Sequence, residues 1–74
     1  MPRVNSSAIA FVGNDARTQQ LFVTFRSGNT YAYERVPKAV YDGLMRSSSK
    51  GEFFNRAIKD RYDHRLIRAR RGLR

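Results

Sequence analysis

The segment 49–62, SKGEFFNRAIKDRY, constrains the fold of this chain more than any other part of the sequence. Ser49 lies three residues before Glu52, the spacing of a capping box, in which each residue's side chain accepts the other's backbone N–H. Behind this cap, apolar residues recur at helical spacing and form one stripe. We therefore predict an amphipathic helix whose two phenylalanines anchor the core. The stripe consists of Phe53, Phe54, Ala57, Ile58 and Tyr62.

The length and composition of the chain limit what this helix belongs to. Seventy-four residues, 41% of them hydrophobic, make one small domain. The chain has no cysteine, so we expect neither disulfides nor a cysteine-based zinc site. No apolar run approaches the roughly 20 residues of a membrane helix, and residues 1–5 lack the hydrophobic segment of a signal peptide. We therefore expect a monomeric cytoplasmic domain that does not contact a membrane.

The charge of the chain indicates the kind of partner. Fifteen Lys and Arg residues oppose six Asp and Glu residues, which gives a net charge of +9, and twelve of the cations are Arg. Arginine suits bidentate contact with phosphate or carboxylate and stacking on flat rings. A small chain with this charge is drawn to polyanions. Composition alone leaves open whether the polyanion is a nucleic acid, an acidic protein surface or an anionic lipid.

The segments before the capped helix predict three strands and one more helix. Residues 6–12 form a short apolar run that ends at Gly-Asn-Asp. Residues 20–26 alternate between apolar and polar, the period of a half-buried strand, and residues 30–36 are rich in β-forming residues. Residues 38–46 follow a proline and carry apolar residues at helical spacing. We predict an α+β fold, a three-stranded antiparallel meander with two helices packed on one face.

The carboxyl-terminal residues differ from the rest of the chain in composition. Residues 65–74 contain five Arg and no acidic residue. We expect this tail either to extend the second helix or to be disordered until a partner binds. The predicted organisation is therefore a flexible lead over residues 1–5, a domain over residues 6–64 and an Arg-rich tail over residues 65–74.

The turn between the second and third strands decides where two tyrosines point. If Gly28 and Asn29 form a two-residue turn, Arg26 pairs with Tyr31, and Tyr31 and Tyr33 face away from the helices. Two tyrosines beside a guanidinium would make a stacking platform for single-stranded bases. A one-residue irregularity in the turn moves both tyrosines to the core face instead. The sequence leaves both arrangements open.

Residues suited to catalysis or metal binding are few. The one histidine, His64, lies beside Asp63, where we expect it to help satisfy the last carbonyls of the helix. No nucleophile elbow, phosphate-binding glycine loop or metal-ligand spacing occurs in the sequence. We predict no catalytic residue, no metal and no cofactor.

The residues now assembled resemble those of the KTSC domain. This small bacterial and phage module is named for its occurrence at the carboxyl end of some lysyl-tRNA synthetases and also exists free-standing. The resemblance covers about residues 6–62 and implies no catalytic residue, whereas RNA binding has been suggested for the family. The Arg-rich tail lies outside the pattern. The matching segments are Ser6 to Ile9, Phe25 to Gly28, Tyr31 to Tyr33, Val36-Pro37, Tyr41, Ser49 to Gly51, Phe54-Asn55, Ile58 and Tyr62.

Two hypotheses of function follow. In the first, the protein is a non-catalytic module that contacts nucleic acid, RNA rather than DNA. In the second, it is a small regulator, of a kind that phages encode, that docks on transcription machinery such as RNA polymerase through Leu66, Ile67 and Leu73. The first hypothesis predicts as binding residues Arg26, Tyr31, Tyr33, Lys50, Arg56, Lys59, Arg65, Arg68, Arg70 and Arg71.

Overall fold

A computed structural model describes residues 8–69 as four strands and two helices. The strands form one antiparallel sheet in chain order, β1-β2-β3-β4, so the predicted α+β class is confirmed. Neither helix of the described chain is long and apolar enough to cross a membrane. The elements are β1 (Ile9–Asp15), β2 (Gln20–Phe25), β3 (Thr30–Tyr33), α1 (Lys38–Arg46), α2 (Lys50–Ala57) and β4 (His64–Arg68).

The core lies between one face of the sheet and the two helices. Leu44 of α1 and Phe54 of α2 are buried against that face. The Phe54 ring meets the Tyr33 ring edge to face, with centroids 5.4 Å apart. The predicted anchoring role is confirmed for Phe54, while Phe53 is half-buried and packs against the same cluster. The buried members of the core are Ile9, Val12, Leu21, Val23, Tyr33, Val36, Leu44, Phe54 and Ile58.

The connection between β2 and β3 is longer than the two-residue turn, the first of the two arrangements that the sequence leaves open. The predicted turn pairs Arg26 with Tyr31, whereas the last observed pair of the two strands is Thr24 with Thr30. Within the connection Gly28 adopts a φ of 105°, which glycine reaches without steric cost. The predicted pairing is therefore wrong, because the last paired residue of β2 is Thr24 while β3 still begins at Thr30.

This longer connection decides which face the tyrosines occupy. The two-residue turn that pairs Arg26 with Tyr31 also pairs Thr24 with Tyr33. In the structure Thr24 pairs with Thr30 instead, a change of three residues, and an odd change turns every side chain to the opposite face. Tyr33 now lies opposite Leu21 on the helix face and is buried, and Tyr31 is half-buried beside it. The outward-facing tyrosine platform is wrong, and the alternative with both tyrosines on the core face is confirmed.

Helix α2 begins where the sequence predicts and ends earlier. The Ser49 hydroxyl accepts the Glu52 N–H at 3.4 Å, which is one half of the predicted capping box. The Ser49 N–H donates to the Ser47 hydroxyl at 3.1 Å, whereas the predicted capping box has it donate to the Glu52 carboxylate. The helix ends at Ala57, because Ile58 leaves the helical conformation with φ −125° as its side chain enters the core.

The start of the predicted tail is a strand. β4 pairs antiparallel with β3, and Ala32 lies opposite Arg65. The expectation of a helical extension or a disordered segment is wrong for Arg65–Arg68, because the open edge of β3 offers backbone partners that the tail composition does not reveal. Two predicted binding residues, Arg70 and Arg71, lie outside the described residues, as does the predicted start of β1 at Ser6.

Candidate functional site

Both helices pack on one face of the sheet, and the residues that alternate with the core positions point to the other face. The strand register arranges these residues in two rows across the sheet. We call this surface the open face. Its first row is Gly13, Phe22, Ala32 and Arg65, and its second row is Phe11, Thr24, Thr30 and Arg68.

Small residues, among them the buried Ala32 and Thr30, occupy the middle of the open face, and aromatic rings lie on β1 and β2. Phe22 is half-buried between Gly13 and Ala32, neither of which rises as high as the ring. Phe11 is 37% exposed. Exposed aromatic ring faces accept flat rings such as nucleobases. The open face therefore has two rings on which a planar ligand can stack.

The other side of the open face carries cations. Arg65 and Arg68 both lie on β4 and both are exposed. The Arg65 Nε donates to Glu34 Oε2 at 3.2 Å, and the Gln20 side-chain amide donates to the same carboxylate at 3.3 Å. The Glu34 carboxylate thus partly neutralises the charge of Arg65. Strands are about 4.8 Å apart, so Phe22 and Arg65 are about 10 Å apart across the sheet.

Opposite the open face, five aromatic rings line a pocket between the sheet and α2. Neighbouring rings in the order Phe25, Tyr31, His64, Tyr33 and Phe54 have centroids 5.1 to 5.9 Å apart, and Phe54 returns to Phe25 at 5.4 Å. The rings form a closed cycle. We call this space, with a volume of about 350 Å³, the aromatic pocket.

Tyr33 and His64 form the floor and one wall of the aromatic pocket. Their rings stack at 5.1 Å with an interplanar angle of 27°. Burial, together with the charges of Tyr31 and Asp60, raises the pKa of the Tyr33 hydroxyl to about 12. The expectation that His64 caps the helix is wrong, because the histidine belongs to β4 and stacks on the core instead. Lys59 lies at the same pocket, so three predicted binding residues meet here.

The family of the chain follows from its sequence together with this fold. The sequence model of the KTSC domain matches residues 5–62. The chain belongs to the KTSC domain family. The crystal structure of a KTSC domain protein from Yersinia pestis superposes with a TM-score of 0.87 at 36% identity and covers 89% of this chain and 93% of that one.

Two relatives are similar to most of this chain. A protein of Tsukamurella paurometabola is 42% identical over 62 residues, which span 84% of this chain and 92% of the relative. A lysine–tRNA ligase of Nostoc punctiforme is 38% identical over 56 residues, 76% of this chain. This KTSC domain spans only a tenth of the length of that ligase.

The remaining predicted binding residues of this KTSC domain are scattered. The Lys50 Nζ donates to the Ser47 carbonyl at 2.8 Å and is only half-exposed. Arg56 is exposed on α2, and Arg26 follows β2, with its N–H bonded to the Ala8 carbonyl. Lys59 lies beyond the end of α2, so it does not continue a cationic helix face with Lys50 and Arg56. The predicted residues therefore divide between the open face, the aromatic pocket and isolated positions.

Sequence reasoning missed two features of the open face of this KTSC domain. Phe11 belongs to the apolar run of β1, but a register shift between Ile9 and Phe11 turns its ring outward while Val12 enters the core. Glu34 is the partner of Arg65, and no spacing in the sequence indicates this pair. Within residues 8–69, no group of three or more His, Asp or Glu side chains is arranged to hold a metal ion.

Proposed function

We propose that this KTSC domain is a non-catalytic cytoplasmic module that binds single-stranded RNA on its open face. The observation that carries the proposal is that β4 brings Arg65 and Arg68 onto the same sheet face as Phe11 and Phe22. On this one face, the aromatic rings lie on β1 and β2 and the guanidinium groups on β4. They provide the two contacts that a single strand needs, stacking for bases and charge for phosphates.

The spacing of the open face suits a nucleotide. A base stacked on Phe22 would extend its sugar across β3 toward Arg65; Ala32, the residue between them in the first row, is itself fully buried. The phosphate would then lie within reach of Arg65, about 10 Å from Phe22 across two strand spacings. The second row repeats the arrangement, with Phe11 on β1, two threonines on β2 and β3, and Arg68 on β4.

Two further observations favour RNA as the polyanion. The net charge of +9 on 74 residues attracts a phosphate backbone from a distance. The chain is also similar to part of a lysine–tRNA ligase, an enzyme whose name identifies an RNA substrate. Together these observations support RNA rather than an anionic lipid or an acidic small molecule.

A direct test is the binding of a fluorescently labelled single-stranded RNA, followed by anisotropy at several salt concentrations. Arg68→Gln should weaken binding by about fivefold and lower the salt slope by about 0.7, the contribution of one phosphate on a single strand. Arg17→Gln is the matched control, because Arg17 is equally charged and exposed but lies in the β1–β2 turn. Equal losses in the two variants would show that binding depends on net charge and not on the open face.

The stacking half of the proposal has its own variant. Phe11→Ala should weaken RNA binding by about tenfold, because stacking of one base on an aromatic side chain is worth about 1–3 kcal/mol. Phe11 is already more than a third exposed, so this variant should fold. RNA binding that is unchanged in folded Phe11→Ala would refute stacking at this position.

A second candidate function rests on the edge of β4. In the described chain β4 pairs only with β3, and its other edge is free. Leu66 and Ile67 on this strand are 49% and 44% exposed. A free edge with apolar side chains accepts an extended segment of another protein as an additional strand. A partner in the transcription machinery, such as RNA polymerase, would dock here, with the β4 arginines facing its acidic side chains.

The two candidate functions respond differently to one pair of substitutions. Replacing Leu66 and Ile67 by Ser should leave RNA binding within about twofold, because phosphate contacts do not involve these side chains. The same change should abolish capture of a protein partner in a pull-down from bacterial lysate treated with nuclease. A defined protein that survives nuclease with the wild type and disappears with the double variant would favour the protein-binding function.

A further inference from the structure

The aromatic pocket has features of a ligand site that the open face does not explain. It lies on the helix side of the sheet, away from Phe11 and Phe22. Its volume of about 350 Å³ falls in the range of small-molecule sites, about 300–1,000 Å³. Tyr33 and Phe54 form a buried floor, while Tyr31 and His64 retain exposed ring surface. A planar ring entering the pocket would meet aromatic side chains on several sides.

Polar side chains converge at the mouth of the aromatic pocket. Asn55, Lys59 and Asp60 line it together with the His64 ring. Lys59 supplies a positive charge for an anionic group, while the Asn55 amide both donates and accepts hydrogen bonds. The Asp60 carboxylate only accepts hydrogen bonds and repels anions, so it suits the N–H groups of a base and not a phosphate. The pocket thus combines contacts for a base with a contact for a phosphate.

A glycine at the start of α2 leaves open space beside the aromatic pocket. Gly51 lines the aromatic pocket and is the second residue of α2. A Cβ at this position would meet no atom within 4 Å, so the packing does not demand glycine here. Because Gly51 lines the pocket, a large side chain at this position would occupy space beside it. The missing side chain keeps the space open.

We propose that the aromatic pocket binds one purine nucleotide, with the base among Tyr31, His64 and Phe25 and the phosphate at Lys59. A purine is flat and aromatic and carries N–H groups for Asp60 and Asn55. An aliphatic or lipid ligand would make no use of these polar side chains, which are exposed at the mouth of the pocket. A simple cation would meet the Lys59 charge and the net charge of +9. The nucleotide is either free in solution or one residue of an RNA strand, and both present the same base and phosphate.

The proposal does not depend on RNA binding at the open face. The two sites share no residue, and the variants that test them are different. Phe11→Ala and Arg68→Gln should leave nucleotide binding to the aromatic pocket unchanged. A chain that binds a nucleotide but no RNA would refute the function proposed above and keep this one.

The test is a titration of the ¹⁵N-labelled protein with guanosine and adenosine 5′-monophosphates, followed by NMR chemical shifts. We expect shifts at Gly51, Asn55 and Lys59 that saturate with a dissociation constant of about 1 mM or tighter. Ribose 5-phosphate, which lacks the base, should bind at least about tenfold more weakly, because the stacking contribution is lost. Absence of shifts at the pocket with both purine nucleotides would overturn the proposal.

Variants of the pocket separate a specific site from general attraction. Gly51→Leu should weaken nucleotide binding at least about tenfold while the protein stays folded, because Gly51 lines the pocket and a Cβ there meets no atom within 4 Å. Ala39→Leu, on the exposed surface of α1, is the matched control and should bind as the wild type. Lys59→Gln should weaken binding about fivefold, and Lys38→Gln should not. Unchanged binding in Gly51→Leu would overturn the proposal.

A second pair of variants tests the aromatic wall, and a competition identifies the source of the nucleotide. Tyr31→Leu should weaken binding about tenfold, whereas Tyr41→Leu, which replaces a half-buried tyrosine away from the pocket, should not. Equal affinities in these two variants would contradict the proposal. A short RNA that displaces the mononucleotide assigns the pocket to one base of a strand. If the mononucleotide stays bound while RNA occupies the open face, the pocket takes a free nucleotide.

Discussion

Glu34 restrains one of the two arginines of the open face, so its removal should strengthen RNA binding. Its carboxylate accepts the Arg65 Nε–H at 3.2 Å and the Gln20 amide at 3.3 and 3.4 Å. The side chains of Arg65 and Glu34 are 66% and 35% exposed. A phosphate that approaches Arg65 must compete with this carboxylate. Glu34→Gln keeps the size and an acceptor oxygen but removes the negative charge.

The magnitude follows from the exposure of the pair. Ion pairs this exposed contribute at most about 1 kcal/mol to stability, so Glu34→Gln should lower the free energy of unfolding by no more than that amount. Releasing Arg65 adds one phosphate contact, which should steepen the salt dependence by about 0.7 and tighten binding by about three- to fivefold. The gain should fade above about 0.5 M salt, where screening acts within a few ångströms.

The control removes a similar carboxylate from the helix side of the protein. Asp42 pairs with the Lys38 Nζ at 3.1 Å, and the two side chains are 40% and 64% exposed. Asp42→Asn raises the net charge by the same single unit as Glu34→Gln. RNA titrations by anisotropy should show tighter binding for Glu34→Gln and a change below about twofold for Asp42→Asn. Equal gains in both variants would mean that total charge governs binding, and the reasoning about the open face would be refuted.

Three further predictions concern the fold. Gly43→Ala should destabilise the protein by about 1 kcal/mol in urea unfolding, because the new Cβ would lie 2.9 Å from the tip of the Phe53 ring. In a Phe53→Leu background the clash is removed, so the same change should stabilise the protein through the higher helix propensity of alanine. Burial raises the pKa of Tyr33 from 10 to about 12, so the unfolded chain releases this proton first and the free energy of unfolding should fall between pH 10 and 12. Tyr33→Phe should reduce that fall, and an unchanged pH profile would contradict the assignment. Ser49→Ala should cost about 1 kcal/mol through loss of the α2 cap, a loss that Ser48→Ala at the neighbouring exposed position should not reproduce.

Local signals predicted the elements that local interactions determine. Helix α1 has the bounds Lys38–Arg46 that Pro37 and the apolar spacing indicate. The start of α2 follows from Ser49, whose hydroxyl caps the helix as the sequence predicts. The alternation of β2 correctly places Leu21 in the core and Phe22 on the opposite face. In each case the residues that decide the outcome are within a few positions of one another.

Features that depend on distant pairing were not predictable in this way. Five exposed residues with two Arg give β4 no strand signal of their own, and the strand forms because β3 offers a free edge about thirty residues earlier in the chain. The same strand turns Arg65 toward the open face and His64 toward Tyr33. Both sites therefore depend on a pairing that composition cannot reveal.

The tyrosines show how a small local error changes a functional hypothesis. Gly28-Asn29 is typical of a two-residue turn, but the strands separate after Thr24 and the register changes by an odd number of residues. Tyr31 and Tyr33 consequently line the aromatic pocket and do not form an outward-facing platform. The outward aromatic role belongs to Phe11 and Phe22, and the position of Phe11 depends on an irregularity in β1.

The measurement that tests the central claim most directly is an NMR titration of the wild-type protein with a short single-stranded RNA, observing the aromatic side chains. The open face predicts upfield shifts of the Phe11 and Phe22 ring protons as bases stack on them, with changes at the Arg65 and Arg68 side chains. Those shifts should weaken together as salt is raised. RNA binding that leaves both phenylalanine rings unperturbed would contradict the account.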